Sequence, residues 1–420
     1  PADINDEFSA EVYKDFITGL DPLKRYFLAS DIEEFSKYKT EIDDQIKSKD
    51  LTFFNLVYNR LQKRMEDVKK IYPEVLNTPF DYTEDESINV DYDDMDYVST
   101  NKELKERWRK QLKFSTISSY YDNVEQNKNK LKDEEGYTSK SEKELEEKAR
   151  KTSKTSLDEY FDFTTDLERK DYFAIFLTTI VEEFDPHTNY FAPPDKDRFD
   201  LRMSGRLEGI GARLQKKNDY IKVIEVISGG PVWRGDHLEV GDLITKVKQE
   251  DEDEAVSIVG MRVDDAVKLI KGPKGTKVTL TVKRVDGSIE EETITRDVVE
   301  LEETYAKSSV IEKENNTYGL INLPQFYFNM EDYKERNAAS DVKKEIERLK
   351  EEGMEGLVLD LRGNGGGSLR TAVDIAGLFI EEGPVVQVAS NGKKEVLEDE
   401  DDAIVWDGPL VILVNELSAS

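Results

Sequence analysis

The stretch that most restricts the fold is Leu357-Val358-Leu359-Asp360-Leu361 together with the glycine-rich segment after it. Four apolar residues around one aspartate read as a buried strand. The next seven, Arg362-Gly363-Asn364-Gly365-Gly366-Gly367-Ser368, can only be a loop, and a helix is expected over 369–380. Upstream, Tyr318 to Leu323 reads as a second strand. Val342, Ile346 and Leu349 mark an amphipathic helix that Gly353 terminates. Strand, helix, strand in this order means a parallel α/β core after about residue 305. A further apolar run, Pro409 to Val414, reads as another buried strand. It leads to Ser418-Ala419-Ser420, a serine carried on a small-residue turn in the manner of a nucleophile elbow.

A glycine-rich loop between strand and helix raises dinucleotide binding, but the G-x-G-x-x-G pattern fails at Ser368 and no G-x-x-x-x-G-K-[ST] occurs. The other use of such a loop is an oxyanion hole, in which exposed N–H groups at a helix N-terminus stabilise a developing alkoxide. That use needs a nucleophile, and the terminal serine is one.

Composition removes several alternatives. A formal net charge of -31 argues against nucleic-acid binding, which needs a basic surface. With no cysteine there is no disulfide, thiolate metal site or cysteine nucleophile, and this fits a protein of the bacterial envelope. Only His187 and His237 could serve a histidine triad. No apolar run approaches the ~18 residues of a membrane span. The start Pro1-Ala2-Asp3 has the look of a processed or trimmed chain, with no signal peptide in view.

Residues 1–195 read as a helical domain whose last helices are expected to pack on the later core. Val57, Leu61, Met65, Val68 and Tyr72 share a helix face, with Pro73 expected to end the helix. Ser156 and Glu159 have capping-box spacing ahead of another helix, and Tyr172 to Leu177 is expected to be buried on several sides. Residues 78–97 are an acidic loop. Its aspartates lack the glycine and distal glutamate of an EF-hand, so no metal site is expected. Residues 122–151 read as a charged helical arm broken at Gly136. His187 belongs to a turn, in a structural role.

Between 200 and 300 short strands replace helices. Tyr220 to Ile227, Gly241 to Val247, Lys277 to Arg284 and Ile289 to Thr295 are strands, with an Asp286-Gly287 hairpin and a short helix over Val263–Ile270. Leu207-Glu208-Gly209-Ile210-Gly211-Ala212, Gly230-Pro231, Leu238 to Ile244 and Gly272 to Thr276 follow in the order of a PDZ domain, which this module resembles. The resemblance implies a carboxylate-binding loop at Leu207, Glu208, Gly209, Ile210 and Gly211. Val263, Val267 and Ile270 would line the pocket for the last side chain of an added peptide strand.

The whole order of motifs resembles the carboxy-terminal processing peptidases of family S41, in their tail-specific protease branch. It runs from Leu20-Asp21-Pro22-Leu23-Lys24-Arg25-Tyr26-Phe27-Leu28 through Asp185 to Tyr190, the PDZ-like module, Gly319 to Tyr327, Leu359 to Gly367 and Ser418-Ala419-Ser420. The resemblance implies a multidomain α+β chain: helical domain, PDZ-like domain at 200–300, and a ClpP/crotonase-like α/β peptidase core from 305 to 420, cut at the nucleophile. It implies a periplasmic serine endopeptidase with a Ser-Lys dyad and no cofactor, acting on protein substrates with apolar C-termini. Ser420 is the expected nucleophile, and Gly366 or Gly367 the expected oxyanion donor. The lysine base is expected beyond Ser420, so these 420 residues alone are expected to be inactive. An adaptor lipoprotein on the helical domain would be a further partner. The alternative is a PDZ-centred adaptor or scaffold without an activated serine.

Overall fold

A computed structural model describes residues 3–133, 137–330, 332–390, 392–400 and 402–419, with backbone alone at 131–133. The expected break at Gly136 and the serine at 420 lie outside the described residues. The chain divides into two units, residues 1–192 and 193–420.

The first unit is helical: α1 (Asp6–Leu20), α2 (Ala29–Phe35), α3 (Ile42–Ser48), α4 (Thr52–Leu76), α5 (Asn101–Asp133), α6 (Glu142–Asp166) and α7 (Arg169–Glu182). Its core is aromatic. Phe16, Phe53, Phe54 and Phe176 meet with ring centroids 4.8–6.3 Å apart, and Val57, Leu61, Met65, Val68 and Tyr72 line the buried face of α4. Burying rings of this size supplies most of the driving force for such a unit.

Three expectations are corrected here. Helix α4 runs through Pro73, because Val75 and Leu76 are buried on the same face and hold the last turn in place; Asn77 N–H still reaches Pro73 O at 3.0 Å. Ser156 lies inside α6, whose N-cap is Ser141, with Glu144 closing the capping box fifteen residues before the expected start. Of the run 172–177, Ile175 is exposed, while Tyr172 and Phe176 are buried and Phe173, Ala174 and Leu177 are half-buried. His187 sits in a turn, as expected: its N–H donates to Asp185 Oδ1 at 2.7 Å.

The second unit opens with α8 (Pro193–Ser204) and β1 (Arg206–Gly209). A small sheet domain follows: β2 (Ala212–Lys217), β3 (Tyr220–Val226), α9 (Pro231–Gly235), β4 (Leu243–Gln249), β5 (Val256–Ser257), α10 (Val263–Ile270), β6 (Lys277–Lys283) and β7 (Ile289–Thr295). The strand order is β2-β3-β4-β6-β7, so β2 is an edge. β8 (Asp297–Glu300) then returns antiparallel to β1, pairing Arg206 with Glu300 and Gly209 with Asp297. The sheet domain is thus entered and left through a two-stranded ribbon. Leu301 N–H to Gly205 O (2.8 Å), Phe328 N–H to Met203 O (3.0 Å) and an Arg336–Glu300 ion pair (2.9 Å) fasten that ribbon to the core.

The core holds β9 (Lys307–Lys313), β10 (Asn316–Asn322), α11 (Ala338–Glu351), β11 (Gly356–Asp360), α12 (Leu369–Gly377), the hairpin β12 (Gly383–Ser390) with β13 (Lys393–Asp399), and β14 (Leu410–Leu413). Its sheet runs β14-β11-β10-β9, with β14, β11 and β10 parallel and β9 antiparallel. Val342, Ile346 and Leu349 of α11 pack on Ile321, Leu357 and Leu359. The strand expected to be buried at 409–414 is instead an edge: Val411 and Ile412 are 54% and 51% exposed, since among the described residues β14 has a partner on one side alone.

A buried ion network pins the helical unit. Asp31, 1% exposed at its side chain, caps α2 through Leu28 N–H and accepts Arg64 Nε and Nη2 at 2.7 and 2.9 Å, with Arg60 beside them. Burial pushes the Asp31 carboxyl up, but the Arg64 hydrogen bonds, the Leu28 amide and Arg60 outweigh it, and the pKa falls below the usual range. A depressed carboxyl contributes stability that is present above its unfolded-state value near 4 and lost as pH drops toward the lower folded value. Asp31→Ala leaves the buried Arg64 with only the half-exposed Asp67, 3.7 Å away, and is expected to cost about 3 kcal/mol in urea unfolding at pH 7. The gap from the parent chain should narrow as pH falls below about 4.

Candidate active site

Parallel strands place their C-terminal ends together, and crevices form there. In this sheet the ends of β10, β11 and β14 lead respectively into Leu323–Phe326, the loop 361–368 and the turn 414–419. One residue joins all three. Asn364, 1% exposed, donates Nδ2 to Leu323 O (3.0 Å) and accepts Gly366 N–H on Oδ1 (2.9 Å). Its backbone oxygen accepts Ala419 N–H at 2.8 Å.

The serine-bearing turn is fixed from its other side by Asn415. Its Oδ1 accepts Gly363 N–H at 2.8 Å, and its own N–H donates to Ser418 Oγ at 2.9 Å. The Ser418 hydroxyl in turn donates to Leu361 O at 2.8 Å. Ser418 is therefore engaged on both sides as a structural peg, and the next hydroxyl along the chain is Ser420. Asp360 steadies the loop entrance by accepting the Arg362 N–H (3.0 Å) and guanidinium (2.9 and 2.7 Å). Those Arg362 hydrogen bonds hold the Asp360 carboxyl below the usual range.

The glycines differ in what they offer. Gly366 N–H is committed to Asn364 Oδ1, and Gly366 O accepts Phe326 N–H at 3.0 Å. Gly367 has φ +146°, and a Cβ there would lie 2.4 Å from Phe326 O, so no other residue fits without moving the strand end. Ser368 caps α12 by accepting Thr371 N–H at 3.1 Å. Asn364, Asn415, Ser418 and Asp360 were not singled out from the sequence. An asparagine set among four glycines was the one available signal.

In the PDZ-like domain β2 is a sheet edge, and α10 packs beside it. Residues expected as the binding loop divide. Leu207 and Glu208 are strand residues of β1, paired with Val299 and Val298, and Glu208 accepts Lys274 N–H at 2.9 Å. Gly209 ends that strand, so the loop proper is Ile210-Gly211. Their carbonyls accept Val232 and Ile227 N–H, while their amides have no acceptor among the described residues. Gly211 has φ +82° with Gly230 Cα 3.1 Å from where its Cβ would be. On α10, Val263 and Val267 are half-buried, whereas Ile270, like Ile210, is buried in the domain core. His237 is held elsewhere, 2.8 Å from Glu292 Oε2.

Asn364→Ala removes two side-chain bonds and leaves a carbonyl and an amide unpaired in a buried place. At about 1–3 kcal/mol for each group stranded, a loss of several kcal/mol in stability is expected. Amide hydrogen exchange at Gly366 and Ala419 should quicken; unchanged exchange there would remove Asn364 from its linking role.

Three family profiles match the chain in succession: "Tail specific protease N-terminal domain" over residues 1–194, "PDZ domain" over 199–283 and "Peptidase family S41" over 317–420. The tail-specific protease of Haemophilus influenzae is 32% identical over 420 residues, spanning 99% of this chain and 56% of that protein. Carboxy-terminal processing protease CtpA of Bacillus subtilis is 34% identical over 238 residues, 56% of this chain and 47% of that one. The chain thus spans about half the length of these curated relatives. Among solved structures, the PDZ domain of a carboxy-terminal protease from Vibrio cholerae, in complex with a peptide, is 46% identical, covering 23% of this chain and 99% of that one with a TM-score of 0.22. No described helix is long and apolar enough to cross a membrane. With a helical N-terminal region, a PDZ-like domain and an α/β core matched in order, the chain belongs to the carboxy-terminal processing peptidases of serine peptidase family S41, in the tail-specific protease branch.

Proposed function

We propose that the whole protein is an endopeptidase of the bacterial periplasm that selects protein substrates by an apolar C-terminus and cleaves them with Ser420. The observation that carries this reading is the convergence of the serine-bearing turn on the glycine loop through Ala419 N–H and Asn364 O, with the Ser418 hydroxyl already spent. Ser420 Oγ would attack the scissile carbonyl. A lysine amine, kept neutral by desolvation, would take the hydroxyl proton and pass it to the leaving amine. The oxyanion would be met by the Gly367 N–H and an amide beyond the serine, since Gly366 N–H is committed to Asn364. On this reading the lysine comes from sequence after Ser420, and the 420 residues alone do not cleave. Residues 1–195, 200–300 and 305–420 would then be the helical, tail-binding and catalytic parts.

Tail capture would use the β2 edge as a template for an added strand, with the Ile210 and Gly211 amides meeting the terminal carboxylate and Val263 and Val267 contacting the last side chain. Two measurements check these assignments. A fluorophosphonate probe should label the full-length protein, and Ser420→Ala should abolish labelling; equal labelling of the variant would place the nucleophile elsewhere. Gly211→Val, strained at a positive φ, should weaken binding of an apolar-tailed peptide to the PDZ-like domain at least 10-fold, as should amidation of the peptide's C-terminus. Tight binding of the amide would overturn carboxylate capture.

A further inference from the structure

Arg296 stands between β7 and β8, where the sheet domain returns to the ribbon. It is 3% exposed, and no carboxylate pairs with it among the described residues. Burial holds its pKa below the ordinary arginine value. A buried guanidinium without an anion must place its N–H donors on neutral oxygens. Here Nε donates to Ile270 O (2.9 Å), and Nη1 to Thr276 Oγ1 (3.0 Å) and Lys277 O (3.3 Å). Nη2 donates to Gln249 Oε1 (2.7 Å) and Leu269 O (3.2 Å).

Two of these acceptors are the last carbonyls of α10, which the helix itself leaves unpaired. Gln249, at the end of β4, adds its Nε2 to the same Leu269 O at 2.7 Å. Helix α10 is only eight residues long, and of these Ala266 and Ile270 alone are buried. Two turns of helix have little stability of their own, so the position of α10 is set by what grips it. At its C-terminal end the grip is Arg296, where a cation also suits the negative end of the helix dipole.

The backbone of the same residue is tied to the ribbon. Arg296 N–H donates to Thr276 O and Arg296 O accepts Gly275 N–H, both at 2.8 Å. The next residue, Asp297, pairs with Gly209, which leads directly into Ile210-Gly211. Asp297 is held in turn by Arg234 at 2.7 Å and Lys274 at 3.0 Å. One residue thus refers the end of α10 to the strand position from which the Ile210-Gly211 loop departs. The fit around it is tight: a Cβ on Gly272 would lie 2.9 Å from both Cζ and Nε of Arg296.

We propose that Arg296 is the positioning residue of the tail site. By fixing the C-terminal end of α10 relative to the Ile210-Gly211 loop, it sets the space that Val263 and Val267 leave for the last side chain of a bound polypeptide, and so which apolar ending is preferred. Being buried, it acts through α10 and not by contact with the ligand. Its rigid fork reaches the helix end, the 272–277 turn and β4 at once, which the single ammonium of a lysine does not. This role presupposes tail capture by the β2 edge and α10.

The test is a calorimetric titration of the 420-residue chain with N-acetyl pentapeptides ending in Ala-Leu and in Ala-Ala, read as the ratio of the two affinities. A variant that is merely less folded binds both peptides more weakly by one factor and keeps the ratio. Arg296→Lys retains the charge and loses the fork, and is expected to lower the preference for leucine about 5-fold. Gly272→Ala, which keeps the arginine and crowds its guanidinium, should act in the same direction, as should Gln249→Met. These two stand in should Arg296→Lys fail to fold. A parent chain that binds neither peptide overturns tail capture, and the role of Arg296 with it. A parent that binds both equally, or that prefers leucine no more than every folded variant does, overturns the role of Arg296 and leaves tail capture standing.

Discussion

Every loop that leaves the C-terminal edge of a parallel sheet carries backbone N–H and C=O groups that the ladder no longer pairs, and three such loops meet in this core. The buried amide of Asn364 answers two of those groups with its side chain and a third with its own carbonyl. Because one residue serves β10, β11 and β14 together, the glycine loop and the serine-bearing turn are held relative to each other and not merely near each other. Gly367 depends on the same arrangement, since its backbone approaches Phe326 too closely to carry a side chain. The chemistry proposed for Ser420 rests on this polar junction more than on any apolar contact.

Much of the fold was legible because local pattern and tertiary demand agree. Helix α10 spans the residues its periodicity marks, and Gly353, with φ +82°, ends α11 as a left-handed cap should. Where sequence pattern misled, a long-range contact decided. Pro73 does not stop α4 because buried Val75 and Leu76 hold the next turn against the core. Ser141 and Ser156 stand in equivalent capping patterns, and only packing against the neighbouring helix shows which one begins α6. The apolar run at β14 specifies a strand but not its neighbours, so its exposure could not be foreseen.

The site was half legible. Glycines and serines announce themselves by type, whereas Asn364, Asn415 and the peg formed by Ser418 act through partners about fifty residues away or at a neighbouring strand end. In the PDZ-like domain the family pattern does not tell that Leu207 and Glu208 are ribbon and that Ile270 is core. Sequence order locates the module; which of its residues are exposed and which are buried depends on strand pairing and on a half-turn of helix.

The ribbon of β1 and β8 has a consequence for how such a chain came to be assembled. Arg206 stands opposite Glu300, and most of the residues between them fold into a sheet of their own. A gene segment encoding that sheet can be exchanged, lengthened or lost while the cut ends remain neighbours, already paired. Recombination at this point changes the sheet domain without asking the α/β core to refold.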